Sequence, residues 1–221
     1  MTIRRDMEFL GQNNKIVRVF GGAKSVNSLL SASEAVYAKR SIEQTESKEQ
    51  IARKALQLIP QDSAVFIGSG TTTAQLSRIF PNGQYFITTT GLNCAIELSG
   101  LPDISLMILG GTVNKNSFSV NGSIADKMLS SMHFNVAFLG VRGYIPGRGF
   151  TTSVAEDFVL RQTIVKNSDC AVILMDSTKF ACNVGNTFTF APPESIHYVI
   201  SDDKLSPEAK AELESHGTTV L

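Results

Sequence analysis

The apolar positions of this 221-residue chain change their period along its length. Near the N-terminus Ile3, Met7 and Leu10 recur at helical spacing while Arg4, Arg5 and Glu8 fall off the stripe, which predicts a helix over residues 2–12. Asn13 and Asn14 break that pattern. Residues 16–20 then alternate apolar and basic as a strand does, and Gly21 and Gly22 end it. Residues 25–33 are serine-rich and uncharged, the composition of a linker. From about Thr45 short apolar runs alternate with helical stretches. The runs predict strands at 64–67, 85–89, 104–109, 136–139, 170–175, 198–200 and 218–221. Between them lie helices through Leu58, over 92–98, near 124–130 and from 153 to about 167. Ser47 with Gln50 and Ser153 with Glu156 have the spacing of capping boxes, and Ser206 before Pro207 starts the last helix. Such alternation predicts the α/β class: a mostly parallel sheet flanked by helices on both faces.

Candidate chemistry concentrates where the run at 64–67 ends. Residues 66–76 read Phe-Ile-Gly-Ser-Gly-Thr-Thr-Thr-Ala-Gln-Leu, an apolar strand, a glycine turn, three hydroxyls and the start of a helix. Free amides at a helix start, together with its dipole, favour an anion, and Ser69, Gly70, Thr71, Thr72 and Thr73 then form a phosphate cradle. No Gly-Lys-Ser/Thr follows, so this is not a Walker loop. Thr73 stands where a dinucleotide fingerprint wants a third glycine, and the next strand does not end in an acidic residue. A small phosphorylated ligand fits better than a nucleotide; an ordinary strand-to-helix turn capped by threonine is the alternative. Other candidates follow later strands, because ligands of open α/β sheets sit at strand carboxyl ends. They are Thr89 within the run Thr88 to Thr90, Gly110 and Gly111, Arg142, and Asp176 with Lys179. Lys179 offers an ammonium to a phosphate or sugar oxygen, Asp176 could hold Lys179 or a sugar hydroxyl, and Gly110 and Gly111 either admit ligand or only turn the chain.

Composition narrows the field. Hydrophobic residues make up 43% and charged residues 18%, as in soluble globular proteins, and no apolar run is long enough to span a membrane. The N-terminus does not resemble a secretory signal, so a cytoplasmic location with no membrane partner is expected. Cys94, Cys170 and Cys182 are scattered and odd in number, which suits reduced thiols, and His133, His197 and His216 stand at no metal-ligand spacing. No metal or cofactor is expected. The formal net charge of zero hides an asymmetry: residues 1–24 carry five basic side chains against Asp6 and Glu8. A basic end on an acidic body suggests contact with a polyanion, or only a solvated terminal helix.

Taken together these segments resemble the DeoR family of bacterial sugar-metabolism repressors. Thr2-Ile-Arg-Arg-Asp-Met is similar to that family's recognition helix, and Arg18-Val-Phe-Gly-Gly-Ala to its wing strand. Lys48 to Leu58, Ser69-Gly-Thr-Thr-Thr, Leu109-Gly-Gly, Phe138-Leu-Gly and Asp176-Ser-Thr-Lys-Phe recur in the order of its effector domain. The resemblance implies a remnant of a winged helix-turn-helix at 1–24, a linker at 25–44 and a sugar-phosphate-sensing domain at 45–221. It implies Thr2, Arg4, Arg5 and Arg18 as DNA contacts in a complete domain. Helices that should precede Thr2 are absent, so poor or non-specific DNA binding is expected of the chain as it stands. It also implies a homo-oligomer, a phosphorylated sugar as effector and operator DNA as the other partner.

The family's effector domain looks similar to ribose-phosphate isomerase, which supplies an enzyme alternative. Here Leu139-Gly-Val-Arg-Gly carries no carboxylate and Gln162 stands where a catalytic base is expected, so no catalytic residue and no enzyme activity are expected. An oligomerisation module with a vestigial pocket is the third reading. Thr89-Thr90 replaces the family's usual Thr-Asn, and Gly68-Ser69 stands where an acidic residue is common, which favours a more anionic effector.

Overall fold

The computed structural model describes residues 16–19, 22–25, 32–182 and 188–221. The helix expected over residues 2–12, with Thr2, Arg4 and Arg5, lies outside them. Strands β1 (Ile16–Val19) and β2 (Gly22–Ser25) form an antiparallel hairpin in which Arg18 pairs with Ala23. Helix α1 (Ala32–Ile42) occupies much of the stretch read as a linker. Alanine, glutamate, lysine and arginine favour helix once the serine-rich stretch is passed. Helix α2 (Thr45–Ala55) follows after one residue with left-handed backbone, Gln44.

The central sheet contains β3 (Ala64–Ile67), β4 (Phe86–Thr89), β5 (Ser105–Ile108), β8 (Val136–Gly140), β11 (Ala171–Leu174), β13 (Tyr198–Ile200) and β14 (Thr219–Val220). Their order is β14-β13-β11-β8-β3-β4-β5, and every neighbouring pair is parallel. The reason is legible in the strands: β3, β8 and β11 are apolar on both faces and must be covered on both. Alternate residues divide the core in two. Val65, Ile67, Val136, Phe138, Val172 and Leu174 pack with Ile51 and Ala52 of α2 and with helices α3 (Thr71–Arg78) and α4 (Leu92–Leu98). Phe66, Ala137, Leu139 and Ile173 face the other way, toward α5 (Ser123–Leu129), α6 (Ala155–Lys166) and α7 (Pro207–Glu214).

Two small antiparallel sheets were not anticipated. One is a hairpin of β6 (Thr112–Asn114) and β7 (Ser119–Asn121); the other joins β9 (Gly143–Ile145), β10 (Gly149–Thr152) and β12 (Phe188–Ala191) in the order β12-β10-β9. Each of their strands is only three or four residues long, too short for a period of two to stand out. Both proposed capping boxes are also corrected. Ser47 lies buried inside α2, and the residue before α6 is Val154, with no side-chain cap. At α7 the serine works as expected, accepting from the Ala209 amide at 3.2 Å.

Candidate functional site

From β3 the chain winds outward through β4 and β5, then resumes at β8 on the opposite side of β3. The carboxyl ends of β3 and β8 therefore feed connections that part in opposite directions, the crevice where open α/β sheets bind ligands. A cavity of about 700 Å³ opens there, within the size range of small-molecule sites. The Gly68 amide still donates to Phe138 O at 2.9 Å, so the loop leaves the sheet only at Ser69. Ser69, Gly70, Thr71 and Thr72 line one wall, and the first amides of α3 have no partner within their own helix.

The structure corrects the expectation for Thr73 and Thr89. Both are fully buried away from the cavity: Thr73 Oγ1 donates to Gly70 O at 3.1 Å, and Thr89 Oγ1 donates to Ile67 O at 2.6 Å while accepting from the Gly91 amide. They shape the loop rather than face a ligand. Gly110 and Gly111 also stay off the cavity wall. For Gly111 the turning role explains the glycine: φ is +147°, and an added Cβ would lie 2.5 Å from Asn121 O.

Arg142, Asp176 and Lys179 do line the cavity. Asp176 does not hold Lys179; it accepts from the Thr178 amide at 3.1 Å and from the Thr178 hydroxyl, shaping the short turn Ser177–Lys179 that presents the ammonium. A second carboxylate braces the same turn, since the Ser177 amide donates to Asp202 Oδ1 at 2.9 Å. Burial alone would raise the Asp202 pKa. The Ser47 hydroxyl and Ser177 amide outweigh it and hold the carboxyl below its ordinary value. A folded pKa below the unfolded one gives stability that is present above about pH 4 and lost as pH falls through the folded value. Asp202→Asn should therefore destabilise the protein by about 1 kcal/mol at neutral pH, with the difference vanishing in acid. Urea unfolding at several pH values checks this, and a difference independent of pH would contradict it.

Asp157, Arg161, Arg40 and Lys48 also line the cavity and were not singled out from the sequence. Asp157 and Arg161, at i and i+4 on α6, are the positions that helix turns toward the cavity, and Gln162 is exposed on another face. Arg161 Nε lies 2.6 Å from Asp157 Oδ2, and its guanidinium also donates to Gly140 O and covers the Phe190 ring. The i,i+4 spacing was the available signal. Arg40 lay in the supposed linker, and Lys48 lay in the segment that carried the resemblance without being singled out. Arg40 Nη2 donates to Asn116 O at 2.8 Å. Lys48, 4% exposed, donates to the carbonyls of Arg40 and Glu43, and burial pushes its pKa down.

The cavity thus collects Arg40, Lys48, Arg142, Arg161 and Lys179 against Glu43, Asp157 and Asp176. Asp157 neutralises Arg161. The other four cations form no ion pair with a carboxylate among the described residues. Hydroxyls, helix-end amides and unneutralised cations facing one space can take an anion whose remaining surface is polar. Among the described residues no group of histidine, cysteine and carboxylate side chains could hold a metal, and no helix is long and apolar enough to cross a membrane. Arg18 lies in β1.

Comparison with known proteins agrees with the resemblance. The glycerol-3-phosphate regulon repressor of Escherichia coli K12 is 28% identical over 219 residues, covering 94% of this chain and 86% of its own length. The putative aga operon transcriptional repressor of Escherichia coli O157:H7 is 28% identical over 222 residues, covering 100% of this chain and 82% of that one. Among solved structures, a transcriptional regulator from Streptococcus pneumoniae TIGR4 aligns with a TM-score of 0.47 at 13% identity, over 84% of this chain and 96% of that one. Ribose 5-phosphate isomerase A from Methanocaldococcus jannaschii aligns with a TM-score of 0.46 at 16% identity, over 62% and 55%. The family described as the DeoR-like helix-turn-helix domain matches residues 1–29. The DeoR C terminal sensor domain matches residues 43–203, most of the chain, and the protein therefore belongs to the DeoR family.

Proposed function

We propose that the protein is a transcriptional repressor of sugar-metabolism genes whose cavity senses a phosphorylated sugar. The observation that carries this reading is the convergence of the Ser69 to Thr72 loop with Lys48, Arg142 and Lys179 at the sheet's switch point. The phosphate would sit on the helix-end amides and hydroxyls, with Lys179 and Arg142 supplying charge and Asn114 and Asn121 available to sugar hydroxyls. Binding shifts the balance between two arrangements of the protein and so the presentation of its DNA-binding segments to operator DNA. A repressor reading a repeated site works as a homo-oligomer. Two of the cavity's carboxylates are engaged, Asp157 with Arg161 and Asp176 with Thr178, and the third, Glu43, lies 3.8 Å from Lys39 Nζ. A catalytic proton carrier needs a carboxylate free to reach substrate, so the arrangement favours a sensor over an isomerase.

A thermal-shift panel of sugar phosphates, with the unphosphorylated sugars as controls, tests the reading. A ligand at a hundredfold excess over its Kd stabilises the folded state by about 2.7 kcal/mol. One phosphorylated sugar should raise Tm while its parent sugar does not; a flat panel would remove the proposal, and turnover of ribose 5-phosphate would replace it with the isomerase. For the matching ligand, Lys179→Ala should weaken affinity by about tenfold to a hundredfold, the worth of a hydrogen bond from a charged donor. Calorimetric titration of parent and variant measures it, and equal affinities would take Lys179 out of the site.

A further inference from the structure

We infer that Lys48 passes occupancy of the cavity on to helix α1, an inference that rests on the cavity being an anionic effector site. Lys48 lies on α2 and lines the cavity, yet its ammonium donates to two carbonyls where α1 ends, that of Arg40 in its last turn and that of Glu43 in the turn just beyond it. An ammonium has three donors, and two are spent there. A phosphate in the cavity offers charged acceptors that form stronger hydrogen bonds than carbonyl oxygens, so it draws the ammonium away from α1. The Arg40 carbonyl belongs to the helix end, where no intrahelical amide replaces the lost partner, and the Glu43 carbonyl to the turn that follows.

Two further features make that end responsive. Between α1 and α2 the backbone of Gln44 is left-handed, with φ 50° and ψ 38°, a conformation that a non-glycine residue holds only under constraint from its surroundings. Arg40, in the last turn of α1, reaches Asn116 O on the cavity's rim, while its Nε is buried without a hydrogen-bond partner among the described residues. One turn earlier the Tyr37 ring packs on Phe118, 5.0 Å between centroids. The C-terminal half of α1 is thus fastened to the cavity by polar contacts that an anion competes for. In the chain α1 follows residues 1–29, the part matched by the helix-turn-helix family, so a change in α1 is a change in the segment leading to the DNA-binding part.

The test uses the full chain with inorganic phosphate at high millimolar concentration, against sodium chloride of equal ionic strength. Tm reports binding, and hydrogen exchange of the amides at 39–44 reports the end of α1. In the parent, phosphate should raise Tm and speed exchange at 39–44 by about threefold to tenfold, the effect of losing a hydrogen bond or two. In Lys48→Gln, exchange there should already be fast and phosphate should leave it unchanged. A raised Tm with unaltered exchange in the parent, or equal acceleration in both proteins, would overturn the inference and leave the effector site standing. No rise in Tm with phosphate or with any sugar phosphate would overturn both. If Lys48→Gln does not fold, NMR of the Lys48 ammonium in the parent decides: phosphate should shift its signal, and a stationary signal alongside a raised Tm would overturn the inference.

Discussion

Arg161→Met is expected to lower the free energy of unfolding by about 3–5 kcal/mol, because it leaves a carboxylate stranded in a poorly hydrated place. The side chains of Arg161 and Asp157 are 9% and 15% exposed, and without the guanidinium Asp157 Oδ2 keeps only the Thr152 hydroxyl, at 2.8 Å. The loss reflects an uncompensated charge more than the worth of the pair, and that distinction can be measured. Replacing both partners, Asp157→Leu with Arg161→Met, should recover most of the stability, since two charges and their desolvation disappear together. Urea unfolding of the parent, both single variants and the double variant closes the cycle. Simple additivity of the two single effects would mean that the pair is not a unit and that Arg161 is held chiefly by Gly140 O and the Phe190 ring.

Gly149→Ala should cost about 3 kcal/mol and Gly147→Ala about 1 kcal/mol, although both glycines have positive φ in one turn. The two differ in their surroundings. At Gly147, φ +71°, an added Cβ meets nothing within 4 Å, so only backbone strain is introduced. At Gly149, φ +114°, the Cβ would lie 2.3 Å from Ala191 O and 2.9 Å from Pro192 Cα, backbone atoms that cannot swing aside. Relief requires β10 and β12 to part, and β10 leads into the Thr152 to Val154 wall of the cavity. For a chain of this size the expected falls in Tm are about 6–12 °C and 2–4 °C. Differential scanning calorimetry of the two variants checks the contrast, and equal losses would mean that the clash is absorbed without separating the strands.

The sequence and the structure agree most closely where burial on both faces leaves little choice of residue. The bounds of α4 were read to the residue, and β3, β8 and β11 to within one at either end, because runs such as Val136 to Leu139 suit only a covered parallel strand. The loop from Ser69 to Thr72 could be placed for the same reason: a glycine turn after such a strand lies at the sheet's carboxyl edge. Legibility failed where a residue's role is set by the partner that folding brings to it. Nothing local separates Thr72, which lines the cavity, from Thr73, whose hydroxyl is spent on Gly70 O. Lys48 and Arg40 reach the cavity only because α2 packs on the central strands and the end of α1 lies beside it, and a period-based reading has no access to that approach. The antiparallel strands β9, β10 and β12 were missed because each is only three or four residues long, and the alternation of Phe188 and Phe190 about Thr189 is too brief to separate from chance.

The crossover between β3 and β8 has a consequence for when the protein becomes responsive. Its cavity draws on side chains from Arg40 to Lys179, and opposite walls belong to stretches separated by β4, β5 and two helices. During synthesis a chain that has emerged as far as β5 possesses the hydroxyl loop but not Arg142 or Lys179, which wait on β8 and β11 pairing in succession beside β3. Pairings between strands so distant in sequence close late and slowly. On the proposed reading, a newly made chain cannot hold its effector until β8 and β11 have paired beside β3, and the effector, once bound, marks the molecules that have passed that point.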